Sequence, residues 1–334
     1  MFAYQICGYT FYCTFPLREL IPGDDTSPLF RVELGNNPPD LASPAQRLNE
    51  WYDPDGSVWL AFGRLADGYL LHFSDLARFT LSADARVIRC YPDSDCPPET
   101  LRHLLLNQVI PLVLAHQGQL VLHGAACAIS GRAVAFVGRT GMGKSTLVTR
   151  LGLAGHPVLT DDCLLLKEAE GQFQVHFSYP GVRLWPESID ALMDGRATPM
   201  PLAHYTEKKR VLLERAGPLP ATPLSRVYVL LPPGDSTAGQ EVTIRPMAAN
   251  EAMLEVIRHA FQLDVTDRDW LAAAFHRYAR LVNRIPFFFL AYPREHTLLP
   301  VVQRAIEQHM ETGSIHRFPV PTPSRRLQDR PSPP

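Results

Sequence analysis

Residues Gly138–Thr146 read GRTGMGKST and match the pattern G-x-x-x-x-G-K-[ST] at every fixed position. The apolar run AVAFVG precedes this segment, and the helix-forming run LVTRLGLAG follows it. Glycines let a backbone fold closely around a polyphosphate, and a helix N-terminus directs free N–H groups and a positive dipole end at an anion. The segment therefore predicts a phosphate-binding loop between a strand and a helix. A glycine-rich turn without a ligand is the alternative reading.

The loop residues are predicted to bind ATP and Mg²⁺, which are the expected cofactors. Lys144 can reach the β- and γ-phosphate oxygens and is also a predicted catalytic residue, and the Ser145 hydroxyl can ligate the metal. The full set of predicted nucleotide-binding positions in this segment is Gly138, Thr140, Gly141, Met142, Gly143, Lys144, Ser145 and Thr146.

Two adjacent carboxylates, Asp161 and Asp162, close the short apolar run HPVLTDD that follows the predicted helix. Phosphoryl transfer needs one carboxylate to hold Mg²⁺ and another to accept the proton of an attacking hydroxyl. A strand that ends beside the loop would bring both acids to the phosphates. A solvated turn or a helix N-cap is the alternative reading of the pair.

The pattern around this segment predicts an α/β domain over residues 96–313, preceded by a β-rich region over 1–95. Short aromatic and β-branched runs separated by turn residues fill the N-terminal region. Pro97–His116 has helical spacing that Pro111 would kink. Two runs joined by Ser130-Gly131 predict a hairpin, so the strand before the loop has an antiparallel neighbour. Further strands are predicted over 172–178, 226–231, 241–245 and 285–292, and helices over 248–261, 267–283 and 297–310.

The helix over 267–283 is expected to open with a capping box of Thr266 and Asp269. Residues 314–334 are rich in proline and arginine and predict a disordered tail.

Composition excludes several classes of protein. The 334 residues carry a formal net charge of −2, so no basic field indicates a nucleic acid or an anionic membrane as partner. Apolar runs stay shorter than a membrane span, and the first residues lack the basic start of a signal peptide. The six cysteines form no CxxC pair, which favours reduced thiols and a cytoplasmic protein. Cys163 is predicted to be a small buried apolar residue.

Residues 122–166, LHGAACAISGRAVAFVGRTGMGKSTLVTRLGLAGHPVLTDDCLLL, resemble the C-terminal domain of the HPr kinase/phosphorylase family. The segment has that family's order of His-Gly, phosphate loop, Gly-His turn and paired aspartates. The resemblance implies a P-loop kinase variant with a mixed sheet, similar in its core to phosphoenolpyruvate carboxykinase, that uses ATP and Mg²⁺ to phosphorylate a protein serine. It also implies that Asp161 is the catalytic acid/base and that His123 corresponds to the family's His-Gly histidine. His123 is expected either to face the phosphates as a catalytic residue or to be a satisfied residue of the sheet. In a kinase, Ser145 and Asp162 are predicted to hold the metal.

Two features depart from that family. Its later motif, a Glu two residues before Arg-Gly, is absent: YPGVRLWPES has Gly181 in the Glu position and Leu184 in that of the glycine, so the family's magnesium-binding Glu has no counterpart. This segment is predicted to be a loop that covers the nucleotide or substrate, with Arg183 on a phosphate. A surface turn with Trp185 packed on the sheet is the alternative reading. Residues 1–95 do not resemble the N-terminal domain of true HPr kinases, so HPr is not the expected acceptor. The chain is more similar to divergent members, some of which modify ribosomal peptide precursors such as those of lasso peptides.

The basic run Glu207–Arg210 is predicted either to bind phosphate or an acidic substrate, or to form a solvated charged face. Three functions remain open at this point. The first is an ATP-dependent kinase that phosphorylates a hydroxyl, with a peptide or protein serine as the expected acceptor. The second is an ATP-binding regulatory module without catalysis, and the third is a kinase or phosphohydrolase of a small metabolite. The family forms homo-oligomers, and the resemblance allows one here.

Overall fold

A computed structural model describes residues 1–24, 27–40, 46–53, 55–213, 219–232 and 241–313, and the backbone of 317–319. The first 95 residues form a β-sheet, as their pattern predicts. In the described part of this region the sheet has nine strands in the order β3-β1-β2-β4-β9-β8-β7-β6-β5, and most neighbours are antiparallel. The strands are β1 Phe2–Ile6, β2 Tyr9–Cys13, β3 Ile21–Pro22, β4 Arg31–Leu34, β5 Gln46–Tyr52, β6 Val58–Leu65, β7 Gly68–Phe73, β8 Ala77–Ser82 and β9 Val87–Pro92.

The predicted kinked helix is two helices joined by a wide turn. Helix α1 covers Pro98–Leu104, a π-helical turn covers Leu105–Val109, and α2 covers Ile110–His116. Pro111 has no N–H group to donate to the carbonyl four residues earlier, and the wider turn directly before it absorbs this break in the ladder. The buried faces of these helices join the core of the N-terminal sheet.

The remainder of the chain forms a second sheet, a small third sheet and five helices in the described residues. The elements are β10 Leu120–Ile129, β11 Arg132–Val137, α3 Lys144–Leu153, β12 Val158–Ala169, β13 Gln172–Val175, β14 Val182–Leu184, α4 Pro186–Met193, β15 Met200–Pro201, β16 Lys209–Val211, β17 Thr222–Leu230, β18 Glu241–Pro246, α5 Ala249–His259, α6 Arg268–Arg284, β19 Phe287–Ala291, α7 Leu299–Thr312 and β20 Arg317–Pro319.

The second sheet is mixed, and its order is β11-β10-β12-β13-β17-β19-β18-β20 with a further pairing of β11 to β17. Strand β11, which leads into the phosphate loop, is antiparallel to β10 and parallel to β17. The predicted hairpin is therefore confirmed. Its two turn residues, Ser130 and Gly131, have φ values of 50° and 77°, as a two-residue turn of the mirror-image type requires.

Strand β12 corrects the prediction that the strand ends at the two aspartates. The strand continues to Ala169, and residues 158–166 pair antiparallel with β10. The apolar run after Asp162 is buried on both faces, which favours continued pairing over a turn. Asp161 and Asp162 thus lie within a strand, opposite Ala125 and Gly124.

Helices cover both faces of the second sheet. One face packs against α3, α4 and α7, and the other against α5 and α6. Helix α6 begins one residue later than predicted, since Asp267 is the N-cap and its carboxylate accepts the Trp270 N–H at 2.9 Å. The Thr266 hydroxyl instead donates to Asp264 Oδ1 at 2.7 Å, so the predicted capping box of Thr266 and Asp269 is wrong.

The predicted tail over 314–334 lies outside the described residues except for 317–319. The backbone of these three residues forms β20, which pairs with β18. Among the described residues, no helix is long and apolar enough to cross a membrane.

Candidate functional site

The loop Gly138–Gly143 connects β11 to α3, as its sequence predicts. Gly143 is the N-cap of α3 and has a φ of +82°. A Cβ atom at this position would lie 3.3 Å from the Tyr292 hydroxyl oxygen and 3.6 Å from Arg294 Nη1. Both the left-handed backbone and the close neighbours favour glycine here, and the free N–H groups of the first turn of α3 remain directed at the space in front of the loop.

The Lys144 side chain lies inside the loop and is hydrogen-bonded to its backbone. Its side chain is buried, and Nζ donates to the carbonyl oxygens of Gly138 at 2.6 Å and Arg139 at 3.2 Å. Burial lowers the pKa of Lys144 to about 8, although Asp162 and Asp161 favour its charged form. The ammonium group is thus held within the loop with little contact to water, where a phosphate anion would find it weakly solvated.

The two aspartates contact one guanidinium, although they are neighbours in a strand. Arg183 Nη1 forms an ion pair with Asp162 Oδ2, and Arg183 Nε lies 3.5 Å from Asp161 Oδ2. Successive side chains of a regular strand point to opposite faces. Asp162 has a φ of +101°, a left-handed value that is uncommon for a residue other than glycine, and this conformation brings both carboxylates to the same side.

Asp161 is the inner carboxylate of the pair. It accepts hydrogen bonds from Ser145 Oγ at 2.7 Å and from the Arg183 backbone N–H at 2.8 Å, and its side chain is 1% exposed. Burial raises the pKa of Asp161, and the nearby Arg183 opposes this shift. Asp161 is therefore bonded directly to the loop hydroxyl that is predicted to ligate the metal.

Asp162 is the outer carboxylate, and its side chain is 23% exposed. Burial opposes its ionisation, but Arg183, His123 and Lys144 outweigh burial and hold the pKa of Asp162 below its usual range. His123 lies on β10, and its Nε2 atom is 4.0 Å from Asp162 Oδ1. Burial lowers the pKa of His123 to about 4, so the ring is neutral at pH 7.

The structure corrects the predicted position of Arg183. It lies on strand β14 and not in a loop, and 5% of its surface is exposed. Its side chain donates to the Asp161 carbonyl oxygen and forms ion pairs with both carboxylates. Arg183 therefore orients the aspartate pair in this structure. Cys163, the next residue on β12, is buried as predicted, with Sγ 3.9 Å from that of Cys7.

The loop and Asp162 line one cavity of about 470 Å³. Most of the predicted site residues line it, whereas Gly138, Met142 and Asp161 do not. The lining members of the predicted set are His123, Thr140, Gly141, Gly143, Lys144, Ser145, Thr146, Asp162 and Arg183.

Several lining residues were not predicted, because they come from distant parts of the chain. Trp59 reaches the cavity from strand β6 of the N-terminal sheet, and His103 and Gln108 reach it from the segment 98–116. Tyr292 and Arg294 follow β19 and flank the N-terminus of α3. The predicted basic run is divided: Lys208 lines this cavity, with Nζ 5.3 Å from the Trp185 ring centroid, whereas Arg210 is buried elsewhere.

The oxygen atoms beside the loop fit a magnesium ion whose remaining ligands are phosphate oxygens and waters. The described residues contain no group of three or more His, Cys, Asp or Glu side chains that could hold a metal alone. The Ser145 hydroxyl and the Asp161 carboxylate supply hard oxygen ligands beside the loop. Mg²⁺ is commonly bound by one or two protein oxygens together with substrate phosphates and waters.

Comparison with known proteins finds a distant structural match. No family model matches the chain, and no curated protein matches it. Among solved structures, the HPr(Ser) kinase/phosphatase from Coxiella burnetii is similar with a TM-score of 0.32 and 13% identity, over 57% of this chain and 96% of that one. The chain has a mixed α/β architecture.

Proposed function

We propose that the protein is an ATP- and Mg²⁺-dependent kinase that transfers the γ-phosphoryl group to a hydroxyl, with a serine of a peptide or protein as acceptor. The observation that carries the proposal is that Asp162 lines the same cavity as the loop, with Asp161 bonded to the loop hydroxyl of Ser145. Ser145 Oγ donates to Asp161 at 2.7 Å, and Asp162 lines the space in front of Lys144. A nucleotide tail held by the loop would have its terminal phosphate between Lys144 and Asp162.

The loop would bind the phosphates through the N–H groups at the start of α3 and through Lys144. The buried ammonium donates to two carbonyl oxygens, Gly138 O and Arg139 O, and turning toward a phosphate exchanges these partners for an anion. Charge-assisted hydrogen bonds of this kind are about twice as strong as neutral ones. The phosphate would also raise the pKa of Lys144 and keep it protonated.

Ser145 and Asp161 would hold the magnesium ion, which neutralises developing charge on the phosphate oxygens when it is bound. This assignment exchanges the roles predicted from the sequence for the two aspartates. Asp161 is buried behind Ser145 and reaches no acceptor, whereas Asp162 faces the cavity.

Asp162 would orient the acceptor hydroxyl and receive its proton. The acceptor oxygen forms a bond to the γ-phosphorus, the bond from this phosphorus to the β–γ bridging oxygen breaks, ADP leaves, and the proton passes to the Asp162 carboxylate. Its low pKa keeps Asp162 ionised at neutral pH, so it acts mainly as a hydrogen-bond acceptor that positions the hydroxyl. Neutral His123 lies 4.0 Å away and is placed to contact the same hydroxyl.

Two isosteric variants test these roles. Asp162→Asn should bind Mg-ATP with unchanged affinity in calorimetry and lose transfer from γ-radiolabelled ATP by about a hundredfold or more. Asp161→Asn should weaken the magnesium dependence of nucleotide binding. Asp190→Asn, on the exposed face of α4, is the matched control. Transfer by Asp162→Asn at the wild-type rate would refute the role of Asp162, and absence of ATP binding by the wild type would refute the proposal.

The arrangement of Arg183 favours one second candidate, an ATP-binding regulatory module that transfers nothing. Its guanidinium contacts both carboxylates, as a structural ion-pair cluster would. This candidate predicts tight Mg-ATP binding with no labelled product from serine peptides, proteins or sugars. Labelling of any hydroxyl acceptor excludes it.

A further inference from the structure

A second cavity, of about 310 Å³, adjoins the first and shares the lining residues His103 and Leu202 with it. It lies between the N-terminal region and the strands of the third sheet. Most of its wall is apolar, and that part consists of Leu20, Pro180, Met200, Pro201, Leu202, Leu212 and Leu213. Four charged side chains also line the wall, namely Arg18, Glu19, Glu99 and Arg210. Two of them, Glu19 and Arg210, each have a buried atom without a hydrogen-bond partner.

Arg210 is a buried cation without an ion pair in the described part of the chain. It lies on β16, directly opposite Arg183 in the register with β14, and 5% of its surface is exposed. Both aspartates form ion pairs with Arg183, and Arg210 Nη1 has no hydrogen-bond partner. The Tyr179 ring, 5.2 Å from the guanidinium carbon, offers a cation–π contact but no acceptor. Like charges opposite one another in a sheet destabilise it, so a purely structural role does not account for this residue.

Glu19 has a buried acceptor atom without a hydrogen-bond donor. Its Oε1 atom accepts from Arg102 Nε at 2.8 Å, whereas its Oε2 atom is buried and without a partner. The cavity wall therefore holds one unpartnered donor from the α/β domain and one unpartnered acceptor from the N-terminal region. Neither atom is open to water in this structure, so pairing with a ligand needs a small rotation of each side chain toward the cavity.

The chemistry of these two atoms selects the ligand. A carboxylate or phosphate would satisfy Arg210 but would meet the Glu19 oxygen, which repels it. A sugar offers both donors and acceptors but little to an apolar wall. A peptide group presents a carbonyl for Arg210 and an N–H for Glu19, and the neighbouring side chain can bury apolar surface against residues such as Leu202 and Leu212.

We infer that this cavity is a subsite for the acceptor of the proposed kinase, in which Arg210 and Glu19 bind one main-chain peptide group and the apolar wall binds the adjacent side chain. The inference rests on the proposed function and adds to it a binding site for the acceptor chain beside the reacting serine. The shared residues His103 and Leu202 connect the subsite to the cavity of Asp162, so the bound residue lies close along the chain to the reacting hydroxyl. The N-terminal region thereby takes part in acceptor recognition through Glu19.

The test uses the full-length protein and a pool of serine octapeptides with random flanking residues. N-acetyl-serine methylamide is the short hydroxyl for comparison. Phosphoryl transfer and retention of peptides by the immobilised, ATP-loaded protein are measured separately for the wild type, Arg210→Gln, Glu19→Gln and the control Arg304→Gln, an exposed arginine of α7. Thermal unfolding and ATP affinity of each variant show that it is folded and that its loop is intact.

We expect the wild type to retain and label octapeptides and to label the short derivative much less. Arg210→Gln and Glu19→Gln should each lower kcat/KM for the octapeptides by about tenfold to a hundredfold, with ATP affinity and labelling of the short derivative unchanged. The control should behave as the wild type.

Several results would overturn the inference: no retained peptide in the wild type, equal labelling of short and long acceptors, or no effect of Arg210→Gln. Improved labelling by Glu19→Gln would also overturn it, since it would indicate an anionic ligand. Retention of peptides without phosphoryl transfer would support the subsite and refute the kinase. Transfer to the short derivative without retention of peptides would support the kinase and refute the subsite.

Discussion

Replacing Lys144 with Met should remove a stability cost that the nucleotide-free loop carries. The Lys144 side chain is buried, and burial lowers its pKa from 10.5 to about 8. Lowering a pKa by one corresponds to about 1.4 kcal/mol, so keeping this lysine protonated in the folded chain costs about 3 kcal/mol at pH 7. Between pH 8 and 10.5 the unfolded chain still holds the proton that the folded chain has released. The free energy of unfolding of the wild type should therefore rise with pH in this window.

The assay is urea unfolding of the nucleotide-free wild type and Lys144→Met at pH 7 and pH 9.5. About 2 kcal/mol of the cost should be recovered by pH 9.5 in the wild type and none in the variant. Other groups that titrate in this window are present in both proteins, so their effect cancels in the comparison. Lys209→Met, a partly buried lysine on β16, is the matched control. Added Mg-ATP should stabilise the wild type and the control but not Lys144→Met.

Parallel pH curves for the wild type and Lys144→Met would refute the reasoning. They would show that the ammonium group is well solvated in the free protein and that the loop closes around it only when a nucleotide binds. The pH comparison is needed because the variant also leaves the carbonyls of Gly138 and Arg139 without their donor, which alters stability at every pH.

Three further variants probe the loop, a helix cap and the cavity wall. Gly143→Ala should abolish ATP binding in calorimetry and lower the free energy of unfolding in urea by about 1–2 kcal/mol, because φ is +82° and neighbours lie close to the Cβ position. Gly131→Ala is the control, at a left-handed turn with open space around it. It should lower the free energy of unfolding by a similar amount and keep the ATP affinity. Asp267→Ala should lose about 1 kcal/mol of unfolding free energy, since the Trp270 N–H loses its cap, with transfer unchanged. Trp59→Ala should raise the KM for a serine acceptor without changing the Kd for ATP, and an equal rise in that Kd would contradict an acceptor-side position.

Features set by adjacent residues could be predicted from the sequence. The phosphate loop and the hairpin of β10 and β11 depend on local backbone conformation, and Gly143 and Ser130-Gly131 specify it directly. The full length of β12 could not be predicted, because its pairing with β10 is non-local and an acidic pair usually ends a strand. The sequence pattern places Arg183 in a loop, because its strand has only three residues and lies between the turn-forming residues Gly181 and Pro186.

The roles proposed for the two aspartates could not be predicted from the sequence either. In a regular strand only one of them would face the loop, and nothing in HPVLTDD indicates that Asp162 has a left-handed φ. The wall of the cavity depends on tertiary packing across the chain: Trp59 precedes the loop by several strands and helices, and Tyr292 follows it by several more. Neither residue has a local pattern that marks it as part of a site.

The backbone at Asp162 limits which residues evolution or an engineer can place there. With a φ of +101°, asparagine and glycine are tolerated best, whereas β-branched residues would strain the strand. Glutamate keeps the charge but has a longer side chain and a poorer fit to this conformation, so it would not substitute for aspartate. A lineage that loses the proposed phosphoryl transfer would therefore be expected to pass through Asn or Gly at 162, which makes this single position informative about whether a homologue retains that transfer.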